Sequence, residues 1–344
     1  MKKLFTLLLS VALLSAAACT PAPAPDGGKE QEQIPSQPET PSQPEIPETP
    51  DTPETPEVPE TPDTPQTPQT PQTPETPDTP EPVSFRLMSF NILQATSETA
   101  GHEWASVRKA ACIKMFRDIK PDIVCVQESR KTQCSDLASA LTQYSQIKYP
   151  KDGIESNGGQ RNLIMYNNQK FFVIEWGKFW FSEDGTASGG RWGDDATTQK
   201  MTIYVHFREM ATGREFWVYD THFFAKCNVE TTRGHCVEMS LASIKEKVGD
   251  EGVVFFCGDL NMQPDNPILK PMFDYMKHAA THADESDGVS TITYNGFRET
   301  NLKVLDHIFY RNATAHTYKV VNSQTAYGTK WISDHYPIYA DVEF

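Results

Sequence analysis

The stretch Val253-Val254-Phe255-Phe256-Cys257-Gly258-Asp259-Leu260-Asn261 places two polar side chains directly behind an unbroken apolar run. A short apolar run bounded by glycine is typical of a strand that is buried on both faces. Asp259 and Asn261 then stand at the carboxyl end of that strand, where polar side chains can collect at the edge of a sheet. Taken alone, the pair could simply close an Asx turn. The stretch therefore predicts a buried strand that ends in a candidate functional site.

Polar groups stand at the ends of further apolar runs in the same manner. They are Asn91 in Met-Ser-Phe-Asn, Glu128 in Cys-Val-Gln-Glu, His222 in Asp220-Thr221-His222, and Asp334-His335 in Ser-Asp-His-Tyr-Pro, while Asp306 begins another run. Each has an ordinary structural explanation, since Asn91 could close a turn, Glu128 could cap a helix and His222 could be a hydrogen-bonded core histidine. Their joint occurrence is what indicates a single site at one rim of a sheet.

The remainder of residues 83–344 mixes short apolar runs with amphipathic segments. Strands are predicted at Phe85–Leu93, Asp122–Gln127, Asn162–Tyr166, Met201–Phe207, Phe216–Thr221, Val253–Cys257, Leu305–Tyr310 and Pro337–Val342. Helices are predicted at Trp104–Ile119, where apolar residues recur every three or four positions, and at about Cys134–Tyr144 and Thr232–Val248. Because the two element types do not alternate strictly and no linker divides the segment, the pattern favours one domain built as a two-sheet α/β sandwich.

The ordered set of motifs resembles the endonuclease/exonuclease/phosphatase superfamily, which includes deoxyribonuclease I, abasic-site endonucleases, neutral sphingomyelinases and inositol 5-phosphatases. The most specific elements are Gly258-Asp259-Leu260-Asn261 and Ser333-Asp334-His335-Tyr336-Pro337, supported by Gln127-Glu128 and Thr221-His222. The resemblance covers roughly residues 85–344. It implies a four-layer α/β sandwich of the deoxyribonuclease I type, in which two central mixed β-sheets are flanked by helices and the site lies at one edge.

The resemblance also implies a role for each polar residue. Glu128 matches the principal Mg²⁺ ligand, assisted by Asn91 and Asp334, and oxygen ligands of this kind suit Mg²⁺ or Mn²⁺ rather than zinc. His335 matches the catalytic histidine and Asp306 the carboxylate that orients it. Asp259 and Asn261 match the pair that positions the attacking water and the phosphoryl oxygens, and His222 matches the residue that holds a phosphate oxygen. Either His335 or Asp259 could be the general base, and we favour His335.

The expected activity is metal-dependent phosphoester hydrolysis, first of all by a phosphodiesterase that acts as a nuclease. The inositol phosphatase branch is disfavoured, because Leu305-Asp306-His307 lacks that branch's Asp-Arg pair. Two alternatives stay open: the same chemistry on a lipid or sugar phosphate, as in sphingomyelinases, and a non-catalytic module that kept the fold. The intact acids and His335 argue against the last alternative.

Several residues outside the motifs could build the substrate rim. Arg161 and Arg191 could contact a phosphate, and Trp180 or Trp192 could stack on a base or a sugar. The alternative is that the two tryptophans belong to the core and the two arginines pair with surface acids. His206, His278, His282 and His316 lack motif support and are expected to be structural or exposed, and His307 is expected to face away from the site.

Charge is concentrated outside the predicted domain. The chain of 344 residues carries a formal charge of −15. Residues 1–82 hold 14 acidic and 3 basic side chains, so that residues 83–344 keep 32 acidic and 28 basic ones, a charge of −4. This charge excludes a dedicated electrostatic nucleic-acid-binding module and gives little long-range attraction for a nucleic acid.

The N-terminal 82 residues are expected to deliver and hold the domain rather than to fold. Residues 1–19 combine two lysines, an apolar stretch and a small-residue end at Cys19, which resembles a bacterial lipoprotein signal with Cys19 as the lipidated residue. A plain secretory signal is the alternative. Residues 20–82 contain 20 of the 26 prolines, at every third position from Pro35 to Pro80, and predict a disordered Pro/Thr/Glu-rich stalk. A proline-motif ligand is the other interpretation.

These features predict an exported monomer, anchored by lipid alone to the bacterial outer membrane on its periplasmic side or at the cell surface. Its partner is then a phosphoester substrate, with nucleic acid as one class. Cys125 and Cys257 lie inside apolar strand runs and are predicted to be buried thiols. Cys227 and Cys236 are close enough in sequence for a disulfide in an oxidising compartment.

Overall fold

The computed structural model describes residues 81–95, 100–155, 158–187, 192, 198–225 and 230–344. All of them belong to one unit that spans Pro74–Phe344. The predicted signal with Cys19, nearly all of the predicted stalk, Arg191 and Cys227 lie outside the described residues. Among the described residues, no helix combines the length and the apolar composition needed to cross a membrane.

Thirteen strands within the described residues form two mixed sheets. They are β1 (Ser84–Asn91), β2 (Ile123–Ser129), β3 (Tyr144–Pro150), β4 (Arg161–Asn167), β5 (Phe171–Trp180), β6 (Met201–Glu209), β7 (Glu215–His222), β8 (Val254–Asp259), β9 (Lys277–His278), β10 (Glu285–Ser286), β11 (Asp306–Arg311), β12 (Thr314–Val320) and β13 (Ile338–Glu343). The first sheet has the order β10-β12-β13-β1-β2-β4-β3 and the second has the order β5-β6-β7-β8-β11-β9. Each sheet contains a central parallel pair, β1 with β2 and β7 with β8.

The two sheets pack face to face through alternate residues of their strands. On β1, Phe85 and Leu87 point into the space between the sheets, and on β8 Phe255 and Cys257 do the same from the opposite side. Because successive side chains of a strand point to opposite faces, the residues between them are available to pack on helices. Cys125 and Cys257 are buried thiols in this central layer, as predicted.

Helices cover the outer face of each sheet. The helices are α1 (Lys109–Ile119), α2 (Lys131–Ala140), α3 (Glu230–Lys247), α4 (Lys270–Tyr275) and α5 (Ala279–His282), with a π-helical turn at Trp104–Arg108 before α1. Met115 and Phe116 of α1 pack on the outer residues of β1 and β2, such as Phe90. Val237 of α3 packs on the outer residues of β8, such as Phe256. The expected four-layer sandwich is therefore confirmed.

The eight predicted strands all form, with ends within two residues of the expected positions. The sequence missed β3, β5 and β12, which are partly exposed strands, and the two-residue strands β9 and β10. The helix expected at Cys134–Tyr144 was misplaced, because α2 ends at Ala140 and Tyr144 begins β3. Tyr144 is buried and its hydroxyl donates to the carbonyl of Pro121, which fixes it in the sheet rather than in a helix.

Candidate active site

Strand order brings the predicted polar residues to one edge of the sandwich. In the second sheet His222 of β7 is the register partner of Asp259 on β8, and Asp306 of the antiparallel strand β11 is its partner on the other side. In the first sheet, Asn91 ends β1 beside Gln127 of β2. The side-chain amide of Asn91 donates to Asp259 Oδ2 at 3.0 Å and so joins the edges of the two sheets.

Asp259 lies at the centre of the cluster. Its Oδ2 is 3.4 Å from His222 Nε2 and 3.7 Å from His335 Nε2, in addition to the bond from Asn91. Its Oδ1 accepts the backbone N–H of Asn261 at 2.9 Å. That Asx turn is the ordinary structural explanation for the motif, and here the same carboxylate serves both the turn and the cluster. The Asn261 amide donates to the Phe223 carbonyl at 3.1 Å and thereby holds the chain that follows His222.

His335 and Asp306 form a buried hydrogen-bonded pair. His335 Nδ1 lies 2.8 Å from Asp306 Oδ2, which leaves Nε2 directed at Asp259. Burial by itself lowers the pKa of His335, but the charges of Asp306 and Asp259 outweigh it and raise the pKa well above its usual value. Asp306 Oδ1 is buried without a hydrogen-bond partner among the described residues. The pair therefore presents a strongly basic nitrogen to the cluster.

Glu128 occupies a backbone position that few non-glycine residues adopt. It has a φ of +62° and lies in the register irregularity between β2 and β4. A left-handed conformation costs a residue with a Cβ about 1–2 kcal/mol. The bulge turns the carboxylate toward the cluster, where Oε1 is 3.9 Å from His222 Nε2 and Oε2 accepts the Gln160 amide at 3.2 Å.

The carboxylate of Asp334 lies within electrostatic range of Glu128. Burial raises the pKa of Asp334, and the charge of Glu128 raises it further, against the opposing effect of His335. Ser333 ties this loop to the first sheet, since its hydroxyl donates to the Asn91 carbonyl at 2.7 Å. The carboxylates of Glu128 and Asp334 and the side-chain amide oxygen of Asn91 are oxygen donors of the kind that a hard divalent cation prefers. The residues predicted to hold Mg²⁺ are thus chemically suited to it.

A second group of ligand atoms could also hold a metal ion. Asp259, Asp306 and His335 each offer an atom, and these atoms lie within 4.8 Å of one another. Nδ1 of His335 is already engaged by Asp306. Asp259, Asp306 and His335 therefore suit the predicted role in proton transfer at least as well as a role as metal ligands.

Gly258 permits the close approach of the two parallel strands that carry His222 and Asp259. Its φ is +155°, and a Cβ built on it would lie 2.0 Å from the Thr221 carbonyl oxygen. No side chain fits at that distance. The glycine before Asp259 is therefore required by the packing of β7 against β8.

Two lysines adjoin the cluster and were missed by the sequence analysis. Lys200 is buried, and its Nζ lies 2.6 Å from His222 Nε2. Lys151 donates to Gln160 Oε1 at 2.5 Å, next to the Gln160–Glu128 bond. Burial lowers the pKa of Lys200 to about 8, although the Glu128 charge opposes this. Neither lysine belongs to a local sequence motif. Lys200 stands immediately before an apolar strand run, as the other polar site residues stand at strand ends, and this position was the one indication of a role in the site.

A buried polar network beneath the cluster was also missed. The Gln127 amide donates to Asp220 Oδ1 at 2.7 Å, and the Leu163 N–H donates to Asp220 Oδ2 at 3.2 Å. Burial raises the pKa of Asp220 well above its usual value. Gln127 and Asp220 come from different sheets, so the network fixes the two sheets relative to each other. Gln127 directly precedes Glu128 and Asp220 lies two residues before His222, which places the network beside the site.

The residues predicted to form the substrate rim contact other parts of the protein. Trp180 is a core residue, as the alternative interpretation had it: it is buried between the sheets and its indole N–H donates to the Lys151 carbonyl at 2.7 Å. Arg161 is buried and donates to the carbonyls of Gly159 and Glu155. Trp192 is half-buried and stacks on His235 of α3, with 4.0 Å between ring centroids.

The remaining histidines lie apart from the cluster. His206 stacks on Trp217, and His316 is an exposed partner of Asp284. His307 is buried and points away from the cluster, with Nε2 2.9 Å from the Met262 carbonyl and Nδ1 3.1 Å from His278. His278 is thus structural, and His282 forms local hydrogen bonds.

A model of the endonuclease/exonuclease/phosphatase family matches residues 88–335 of the chain. The chain belongs to this family. Among solved structures, an endonuclease/exonuclease/phosphatase from Bacteroides vulgatus aligns with a TM-score of 0.68 and 24% identity, covering 76% of this chain and 98% of its own. The comparison with curated proteins finds no match.

Two other similar structures have titles that describe an activity or a ligand. A mannosyl-6-phosphatase from Bacteroides thetaiotaomicron aligns with a TM-score of 0.67 and 23% identity, covering 76% of this chain and 100% of its own. D. rerio TDP2 in complex with a single-stranded DNA product aligns with a TM-score of 0.57 and 15% identity, covering 75% and 98%. At these identities the likeness concerns the fold. As a family member, the chain has the scaffold of hydrolases that act on phosphoesters.

Proposed function

We propose that this family member is a divalent-metal-dependent phosphoester hydrolase with its active site at the Asp259 cluster. The observation that carries the proposal is the convergence of Asn91, His222 and His335 on Asp259 Oδ2, at 3.0, 3.4 and 3.7 Å. Three strands from two sheets and one loop contribute these groups. Such a convergence of acid, amide and imidazole groups is typical of an active site rather than of a core.

Glu128, Asn91 and Asp334 would hold the cation, with Mg²⁺ as the expected ion and Mn²⁺ as an alternative. When bound, such a cation neutralises charge on the phosphoryl oxygens and orients the phosphate. The strained backbone of Glu128 supports this assignment, because strain of this kind persists at functional positions.

His335 takes the proton of the attacking water at Nε2 in the proposed reaction. Asp306 holds the imidazole by Nδ1 and stabilises the imidazolium that forms. Asp259 lies on the Nε2 side, with Oδ2 3.7 Å from Nε2, and accepts a hydrogen bond from the same water. Asn261 positions the loop beside the phosphoryl oxygens, and the buried setting of the groups strengthens each electrostatic interaction.

Two substrate classes follow from the sequence. Nucleic acid was the first expectation, and a small or lipid-linked phosphoester the second. Trp180 and Arg161 were expected to contact a base or a phosphate at the substrate rim. Both instead donate hydrogen bonds to backbone carbonyls of the protein. Both classes are therefore tested together.

The test incubates the full chain with supercoiled plasmid and, in parallel, with p-nitrophenyl phosphate and bis(p-nitrophenyl) phosphate. Each reaction is run with Mg²⁺ and with EDTA, beside His335→Ala and the exposed-site control His316→Ala. We expect turnover of at least one substrate that depends on Mg²⁺, survives in His316→Ala and is lost in His335→Ala. Turnover that persists in a folded His335→Ala protein would place the active site elsewhere.

We propose further that the chain is exported and anchored through a lipid on Cys19, with residues 20–82 as a spacer to a monomeric domain. The lipoprotein-like end at Cys19 and the proline repeat support this. The measurement is membrane fractionation of the wild type and of Cys19→Ser. Retention of Cys19→Ser in the membrane fraction would contradict lipid anchoring.

A further inference from the structure

Lys200 is a buried ammonium group that faces the active site. It lies just before β6, with 8% of its surface exposed, and its Nζ is 2.6 Å from His222 Nε2. No carboxylate in the described part of the chain lies within salt-bridge distance of it. The charges of Glu128 and Asp259 act on the ammonium only through space, so an anion that arrives with the substrate would be its first directly bonded charged partner.

The contact with Lys200 also fixes the state of His222. An ammonium group has only hydrogens to donate, so His222 Nε2 must accept, and the histidine is the neutral tautomer with its proton on Nδ1. His222 Nε2 therefore cannot donate to a phosphate oxygen while Lys200 is bonded to it. Lys200, which has further N–H groups, is the available donor.

A phosphomonoester suits this donor better than a phosphodiester does. At neutral pH a monoester is mostly dianionic, because its second pKa is about 6, whereas a diester carries one charge. In a diester an ester group replaces one of the terminal oxygens. Lys200 and His222 are both buried. A terminal oxygen of a monoester would therefore lie beside the ammonium group. The second ester substituent of a diester would instead have to fit among buried side chains.

We propose that Lys200 is a catalytic residue that binds a terminal phosphate oxygen, and that the substrate class of this enzyme is the small phosphomonoester. The proposal rests on the proposed phosphoester hydrolase function. It assigns to Lys200 the phosphate contact that the family resemblance assigned to His222, and it leaves His335 as the group that handles the proton.

The experiment compares Lys200→Met, which keeps the length of the side chain without its charge, with Lys200→Arg and with the exposed control Lys148→Met. Substrates are p-nitrophenyl phosphate and bis(p-nitrophenyl) phosphate, which share one leaving group. Binding of inorganic phosphate is measured by calorimetry in the presence of Mg²⁺, independently of turnover. Thermal unfolding of each variant reports folding, and Lys200→Gln, which also removes the charge, serves in place of Lys200→Met if the latter does not fold.

The expected result is a loss in kcat/KM of about 10²–10³-fold for the monoester in Lys200→Met, as for removal of an oxyanion donor, against less than about 10-fold for the diester. Phosphate binding weakens at least 10-fold in parallel, Lys200→Arg retains more of both than Lys200→Met, and Lys148→Met matches the wild type. Equal losses on the two substrates, or unchanged phosphate binding in Lys200→Met, overturn the proposal. If the wild type turns over neither substrate but binds phosphate through Lys200, the hydrolase function fails while the Lys200 assignment stands.

Discussion

Replacing Gly258 by alanine separates the two parallel strands that carry His222 and Asp259. The added Cβ would lie 2.0 Å from the Thr221 carbonyl oxygen and 2.8 Å from the Thr221 carbonyl carbon. Ordinary contact begins at 3.4 Å, so β7 has to retreat from β8 by about 1.4 Å at this point. His222 is the next residue after Thr221, and its 3.4 Å contact with Asp259 opens by a similar amount.

Two energetic terms add in Gly258→Ala. Overpacking of a close-packed site costs about 1–3 kcal/mol. A Cβ at a φ of +155° adds strain of about 1–3 kcal/mol. We therefore expect the free energy of unfolding to fall by about 2–6 kcal/mol, which for a domain of this size lowers the Tm on the order of 10 °C. Activity is expected to fall about 10²-fold, as for a displacement of about 1 Å between reacting groups.

The assay follows Tm by calorimetry and turnover of p-nitrophenyl phosphate at a temperature where the variant stays folded. Gly234→Ala in α3 is the matched control, because a Cβ there meets nothing within 4 Å. Alanine at that helical position is expected to leave activity unchanged and to stabilise by up to about 1 kcal/mol. A folded Gly258→Ala protein with wild-type Tm and turnover would refute the close-approach reasoning.

Three further outcomes are expected. Asp306 and Asp259 raise the pKa of His335, so kcat/KM of the wild type should still increase with pH above pH 7. In Asp306→Asn this increase should occur at lower pH, and the maximal kcat/KM should fall about 10²–10⁴-fold. An increase at the same pH in both proteins would exclude His335 as the general base. Mg²⁺ should raise the Tm of the wild type but not that of Glu128→Gln, a shift that EDTA reverses, and an equal shift in both would place the cation elsewhere. Trp180→Phe should cost about 1 kcal/mol through the lost bond to the Lys151 carbonyl with KM unchanged, and a raised KM would return Trp180 to the substrate rim.

The layered fold could be predicted because its central strands are apolar on both faces. A run such as Val253–Cys257 has no polar face, so a strand formed by it must be buried on both sides. The same reasoning fails for β5, where Phe172 and Trp176 are exposed while Phe171 is buried. An edge strand with apolar side chains on its exposed face has no clear alternation, and β5 was not predicted.

The direction of Trp180 could not be predicted for a related reason. A register irregularity between Val173 and Glu175 interrupts the period of two along β5. Because a one-residue shift exchanges the two faces of a strand, counting from Phe171 does not tell which face Trp180 occupies. Only the three-dimensional pairing shows that Trp180 lies between the sheets.

Lys200 and Lys151 escaped prediction because their meaning depends on partners distant in sequence. Lys200 follows the polar residues Thr197, Thr198 and Gln199 in sequence and bonds to His222, 22 positions later. A lysine in such a stretch is normally a solvated surface residue. Its burial follows from the pairing of β6 with β7, in which Thr202 is opposite Thr221. The motif residues could be found because each stands at or near an end of a strand.

The position of the cluster follows from strand direction. At the centre of each sheet two neighbouring strands run parallel, so the carboxyl ends of β1 and β2, and those of β7 and β8, lie together. The bond between Asn91 and Asp259 shows that these two edges meet. Asp306 reaches the same edge from β11, which is antiparallel to β8, and therefore begins its strand instead of ending it. The site thus depends on the packing of the two sheets against each other. A core substitution that changes their separation should consequently impair activity before it unfolds the domain, because the Asn91–Asp259 bond spans the gap between the sheets.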